Sequence, residues 1–233
     1  MIILGIESSG GISSICLSDG CGLLAEYHFA HNMGLLRRLS PGIEELVHGA
    51  GLEMGGIGGI GVSLGPGSFT GLRIGITCAK ALAFALGIPV AGVPTLKALA
   101  KNIGYIRPGS LVCSMIFARA DEVYWCLFDS GLQELCEYRI ESIDSLLREL
   151  EQRPEEMVFA GSGCRKHREQ IEAALGSRAG FADPACDFAR GLSVNALALE
   201  RLEAGDSDDP ALLVPMYIKK PTPVLRKEAR EAK

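Results

Sequence analysis

Residues 65–73 read GPGSFTGLR, three glycines and a proline within a short stretch that is entered from the apolar run Ile60–Leu64 and left into a long run of small residues. A loop of this kind could cradle a phosphate or present a nucleophile. A Walker loop needs a lysine and a hydroxyl directly after its last glycine, to meet the terminal phosphates and magnesium. Here Leu72 and Arg73 follow Gly71, which excludes that chemistry. A nucleophile elbow needs G-x-S-x-G, whereas this stretch runs G-x-G-S-F-T-G and has no histidine partner in sight. Two readings of Gly65, Gly67, Ser68, Thr70 and Gly71 stay open. Free amides at the positive end of the following helix could receive an anion, or the glycines could simply permit a tight turn with Ser68 as N-cap.

The other reactive side chains narrow the chemistry further. The four histidines, His28, His31, His48 and His167, contain no H-x-x-x-H pair, so no histidine metal site is expected. The eight cysteines (Cys16, Cys21, Cys78, Cys113, Cys126, Cys136, Cys164, Cys186) form no C-x-x-C pair and mostly lie in apolar runs, so they read as reduced thiols serving as small hydrophobes. A net charge of -5 argues against a chain that grips nucleic acid unaided. The start MIILGIESSGG lacks the basic head and apolar stretch of a secretion signal, and the expected location is cytoplasmic, with no membrane partner.

These residues need elements to position them. Turn signals at Gly10-Gly11 and Asp19-Gly20 separate three predicted strands, 2–6, 12–18 and 23–29. A helical stripe follows at Leu36, Leu39, Ile43 and Leu46, which Pro41 should kink or restart with Ser40 as cap. Then come a strand at 60–64, a helix over 68–86, a strand at 88–93 and a helix capped by Thr95. Sliding residues 2–19 forward by 110 lays Ile6 on Ile116, Cys16 on Cys126 and Asp19 on Asp129. The second half should continue with strands at 134–140 and 157–160 and helices at 143–151, 165–175 and 193–203. Two βββαβα halves predict a duplicated α/β fold, with subdomains over 1–104 and 105–218 and a basic tail over 219–233 (Lys219, Lys220, Arg226, Lys227, Arg230, Lys233). Between Leu72 and Leu86 only Arg73 and Lys80 are charged, so this helix must be covered on every side, by the second half or by another subunit. Helical spacing groups Arg73, Ile76, Thr77 and Lys80, expected to face a partner, against Ile74, Cys78, Ala81 and Ala85, expected to face the sheet.

The whole pattern resembles one family. GPGSFTGLRIG, the opening ILGIESSGGISSICL, VAGVPTL at 90–96, ARADEVY at 118–124 and PMYIKKP at 215–221 are similar to the motifs of the bacterial TsaB (YeaZ) proteins, kin of the TsaD glycoprotease-like proteins, and His31 stands where that family's H-A-E helix begins. The resemblance implies an actin-like, Hsp70-like ATPase (ASKHA) fold. It also implies a non-catalytic subunit that dimerises with TsaD in forming N6-threonylcarbamoyladenosine at position 37 of tRNAs reading codons that begin with A. A TsaE-like ATPase would be a further partner, the chain alone would form a homodimer, and tRNA would be met only through the complex. No cofactor would belong to this chain, with ATP or ADP held at a subunit boundary. Leu36, Leu39, Ile43, Leu46, Arg73, Ile76, Thr77 and Lys80 would form the interface, and Glu7, Ser8, Ser9, Gly161 and Gly163 a vestigial nucleotide site. Glu7 departs from the family's more usual aspartate, and Phe117 stands 110 residues on, where a second metal-holding carboxylate would be needed. The alternative is a self-standing actin-like ATPase or a glycoprotease-like peptidase.

Overall fold

The computed structural model of the protein describes residues 1–30 and 34–218. His31 and the basic tail residues named above lie outside the described residues. The first half forms β1 (Ile3–Glu7), β2 (Ile12–Asp19), β3 (Gly22–Ala30), α1 (Leu35–Gly49), β4 (Gly59–Gly65), α2 (Phe69–Leu86), β5 (Val90–Pro94) and α3 (Thr95–Lys101). The second forms β6 (Leu111–Arg119), β7 (Glu122–Phe128), β8 (Arg139–Ser142), α4 (Ile143–Glu151), β9 (Met157–Ala160), α5 (Ser162–Lys166), α6 (Arg168–Leu175), β10 (Ala179–Phe181) and α7 (Gly191–Glu203).

Each half contributes one five-stranded sheet, in the orders β3-β2-β1-β4-β5 and β10-β9-β6-β7-β8. With β6 taken as the counterpart of β1, these are the same order: an antiparallel meander joined to parallel strands. The duplication read from the sequence is therefore real, but its 110-residue offset slips across the hairpin. Ile6 pairs with Ile15, whereas Ile116 pairs with Tyr124, one residue short of Trp125, because β6 carries an irregularity between Phe117 and Arg119.

Alternation along the strands sends side chains to two cores per sheet. Leu4, Ile6, Ile15 and Leu17 pack beneath α1 and α2. On the opposite face, Ala91 and Val93 meet Val194, Leu197 and Ala198 of α7. In the second sheet Cys113, Met115, Trp125 and Leu127 pack with α4 and α6, while Val112, Cys126 and Phe128 meet Leu96 and Ala100 of α3. The order through the molecule is thus α1–α2, first sheet, α7–α3, second sheet, α4–α6. The two inner helices are exchanged: α3 leaves the first half to cover the second sheet, and α7 returns to cover the first. At its centre the fully buried Asn195 donates from Nδ2 to the carbonyls of Ile3 (2.9 Å) and Cys16 (3.2 Å) and to Ser18 Oγ (2.9 Å). The chain then pairs Asp208 with Val90 and sends the Met216 amide to the Leu64 carbonyl at 2.8 Å. The subdomain boundary expected at residue 104 is crossed in both directions.

Several local expectations shift. One helix, α1, runs unbroken through Pro41 without restarting at Ser40. Thr95 is the first residue of α3 and its cap role falls away, since Oγ1 accepts from the Gly65 amide at 3.1 Å. The strand expected from 134 begins at Arg139, and the helix expected over 165–175 is two helices broken at His167. The short β10 has only three residues, too few for a periodic signal. By length and composition α2 could cross a membrane, but Leu72, Gly75, Ile76, Ala79 and Ala83 are spent on packing against the first sheet.

Candidate functional site

The GPGSFTGLR stretch joins β4 to α2 and lies across the end of β1. Ser68 is the N-cap, its Oγ accepting from the Gly71 amide at 3.2 Å. The Ser68 amide donates to the Ser9 carbonyl at 2.7 Å, and Ser8 Oγ donates to the Gly71 carbonyl at 2.9 Å. A Cβ on Gly67 would collide with the Ser9 carbonyl oxygen, and one on Gly75 with Ser8 Oγ, at separations that real Cβ atoms do not show. Gly65 has φ of 106° and is followed by a cis peptide to Pro66. Gly67 and Gly75 are thus required by the close approach to the turn after β1 and Gly65 by its positive φ, and the amides of Ser68 and Gly71 are already bonded within the chain. These contacts build the tight turn with Ser68 as its N-cap. Thr70 is exposed beside it.

Beneath the loop, Glu7 is 1% exposed. Its Oε1 accepts from both the amide and the hydroxyl of Ser9 at 2.5 Å, while Oε2 is buried without a hydrogen-bond partner. Burial pushes its pKa up to about 6 against the pull of those donors. A carboxylate buried in this way ties the turn after β1 through its bonds to Ser9. Gly161 and Gly163, expected with it in a vestigial nucleotide site, lie at the start of α5. Gly161 has φ of 105°, and added Cβ atoms there would meet Met115 of β6. The hydrogen bonds of Glu7, Ser8 and Ser9 run instead to one another and to Ser63, Gly71 and Ser68. Phe117, in the second carboxylate position, places its ring against His167 at a centroid distance of 6.3 Å. Among the described residues, no group of three or more His, Cys, Asp or Glu is arranged to hold a metal ion.

The α1–α2 surface requires corrections. Leu39, Ile43 and Leu46, expected at an interface, are each 1% exposed, and Ile76 is 3% exposed, because they point into the first core. Lys80, also expected there, extends its Nζ to the carbonyls of Ala211 and Leu213, each at 3.2 Å, and so fastens the returning C-terminal segment. Arg73 stacks on Phe69 at 4.0 Å and donates from Nε to Tyr217 Oη at 3.3 Å. Ala81 and Ala85, expected to face the sheet, are exposed. Of the expected residues, Leu36 at 74% exposure on α1 and Arg73 and Thr77 on α2 remain open, joined by Ala81 and by Phe84 at 87% exposure. A groove of about 350 Å³ runs between the helices, lined by Leu36, Ser40, Ile74, Thr77, Cys78 and Ala81 among others. Grouping by the helix's two charges put Arg73 and Thr77 on an exposed side but misassigned Ile76, Ala81 and Ala85. The signal that could have found it is the glycine at 75, which marks the side of α2 pressed to the strand.

A family model described as TsaD, tRNA N6-adenosine threonylcarbamoyltransferase, matches residues 33–222. The tRNA threonylcarbamoyladenosine biosynthesis protein TsaB of Bacillus subtilis (strain 168) is 29% identical over 222 residues, 94% of each chain. Among solved structures, YeaZ from Pseudomonas aeruginosa superposes with a TM-score of 0.77 at 24% identity, over 93% of this chain and 99% of that one. The ROK hexokinase from Thermus thermophilus gives 0.55 at 13% identity, over 88% and 100%, which places the duplicated sheets in the actin-like ATPase fold. The chain belongs to the TsaD-like family and, within it, to the TsaB (YeaZ) branch, the tRNA threonylcarbamoyladenosine biosynthesis proteins.

Proposed function

We propose that this chain is a non-catalytic subunit that pairs with a TsaD-like protein and makes the tRNA-modifying complex competent. The observation that carries the reading is the open α1–α2 face. It combines exposed apolar side chains, Leu36 and Phe84, with small residues, Thr77 and Ala81, that let a partner helix approach closely. The closed surroundings of Glu7 favour this role over a self-standing ATPase or peptidase, since a carboxylate that is 1% exposed has no path to substrate. ATP or ADP would then belong at a subunit boundary, and a TsaE-like ATPase and tRNA would meet the assembled complex. In the absence of a TsaD-like partner, the same face would pair with a second copy.

The test is to mix the purified chain with the TsaD-like protein of its source and follow assembly on a sizing column. A mixed dimer that an Ala81→Glu substitution abolishes supports the reading. No association, or association indifferent to that substitution, overturns the assigned face. ATP turnover by the isolated chain that Glu7→Gln removes would replace the scaffold reading with the ATPase one.

A further inference from the structure

Two thiols come together where the segment leading into β8 turns back along β7. Phe128 bridges Glu134 in antiparallel fashion, and the Leu135 amide donates to the Leu127 carbonyl at 2.8 Å. The same register sets Cys136 opposite Cys126. The Cys126 thiol donates to the Cys136 carbonyl at 3.4 Å, which places the two residues side by side on one face of the paired strands. The Leu127 amide donates to Cys136 Sγ at 3.4 Å. Arg139 stands beside the same sulfur. Its Nη atoms hold Glu141 at 3.3 Å and Glu149 at 2.7 Å, while its buried Nε has no hydrogen-bond partner. Cys126 is fully buried, and Cys136 is half-buried between the exposed Leu135 and Glu137. One cysteine is therefore partly open to solvent, with the Leu127 amide on its sulfur, and the other is closed off beside it.

We propose that Cys136 is a thiol-modification site that exchanges with low-molecular-weight disulfides and then closes a reversible disulfide with Cys126. The Cys136 thiolate attacks one sulfur of the small disulfide. That S–S bond breaks, a small thiolate leaves and takes up a proton, and a mixed disulfide stands on Cys136. Cys126 then loses its proton, attacks the Cys136 sulfur and expels the second small thiol. Two electrons pass from the protein pair to the small disulfide, and two small thiols are released. Cys126, the Leu127 amide and Arg139 hold the Cys136 thiol below the usual range, whereas interaction with Cys136 and then burial push Cys126 up, with Glu134 and Cys113 adding to the rise. The reachable sulfur is thus the attacking one and the buried sulfur the resolving one. The bridge would pin the segment that carries Glu134, whose carboxylate holds Lys97 of α3 at 3.0 Å, so oxidation would act on the layer between the sheets.

The experiment treats the reduced full-length chain with glutathione disulfide near neutral pH and reads intact mass and non-reduced peptide maps. The expected product has lost two hydrogens and carries a Cys126–Cys136 cross-link that dithiothreitol reverses. Cys126→Ser should instead accumulate one glutathione adduct, on Cys136. In competition for limiting iodoacetamide, Cys136 should be labelled roughly tenfold faster than the more exposed Cys21. A cross-link between other cysteines, an adduct that settles first on Cys21, or no reaction at Cys136 in the folded chain overturns the proposal. The labelling race in the unsubstituted protein decides the matter even if Cys126→Ser fails to fold.

Discussion

Glu7 shows how one residue can resemble a catalytic group and serve the fold. Its folded pKa, about 6, lies above the ordinary 4.5. The native state therefore binds the proton more tightly than the unfolded chain does. Relative stability from this group is fully present below pH 4.5 and is lost as pH rises through 6, a change of about 2 kcal/mol. Glu7→Gln keeps an acceptor for Ser9 and removes the buried charge. Its melting temperature should match or exceed that of the unsubstituted protein near pH ~7.5, with the advantage vanishing near pH ~4. A variant that melts lower at neutral pH would mean that the charge is being used, by a metal ion or a partner. In α2 above it, Gly75→Ala forces a methyl group against Ser8 Oγ and should cost about 1–3 kcal/mol. Ser68→Ala loses one cap bond and should cost about 1 kcal/mol. Urea denaturation ranks the two, and the reverse order would show that the loop yields more easily than its crowding implies.

At the scale of the element, α2 is divided in three. One side is pressed to the first sheet, one lies under the returning chain, and one is open. Thr77→Glu and Ala81→Glu both place a charge on the open side, so both should leave circular dichroism unchanged and weaken association with a TsaD-like partner by about a hundredfold or more, as desolvating an unpaired charge requires. Ile76→Glu, one residue away but inside the core, should prevent folding. Calorimetric titration with the partner separates these outcomes, and full affinity in the Ala81→Glu variant would move the interface off α2. Lys80→Ala should act elsewhere again. By releasing the carbonyls of Ala211 and Leu213 it should speed amide exchange across 211–216 while leaving the sheet amides protected.

For the whole molecule, the exchange of α3 and α7 makes the two halves interdependent. A fragment of residues 1–104 would leave the α7-facing side of its sheet bare and carry α3 with no second sheet to cover. Such a fragment should stay largely unfolded by circular dichroism and gain structure when residues 105–233 are added. Cooperative folding of 1–104 alone would show that α7 is dispensable. Asn195→Ala tests the same dependence at one point. It strands the carbonyls of Ile3 and Cys16 in a buried site, and losing these bonds should cost about 1–3 kcal/mol and lower the single melting transition of the whole chain.

Local patterning was enough to locate most elements. Alternation and turn residues marked the first meander, β9 matched its expected 157–160 and α4 its expected 143–151, and repetition of the meander disclosed the duplication. The motifs GPGSFTGLR, VAGVPTL and PMYIKKP were legible as a family signature from their residue types alone. The purpose of the glycines was not legible, since crowding at Gly67 and Gly75 comes from Ser8 and Ser9, some sixty residues earlier in the chain. Neither was the open face of α2. Helical spacing groups residues into stripes but carries no information on which stripe meets the sheet, and Lys80 was turned from a surface charge into a clasp by a segment 131 residues away. The pairing of Cys126 with Cys136 likewise depends on the register set by the Phe128–Glu134 bridge. Composition determined that these side chains would be buried or exposed on average, and only the tertiary structure decided against what.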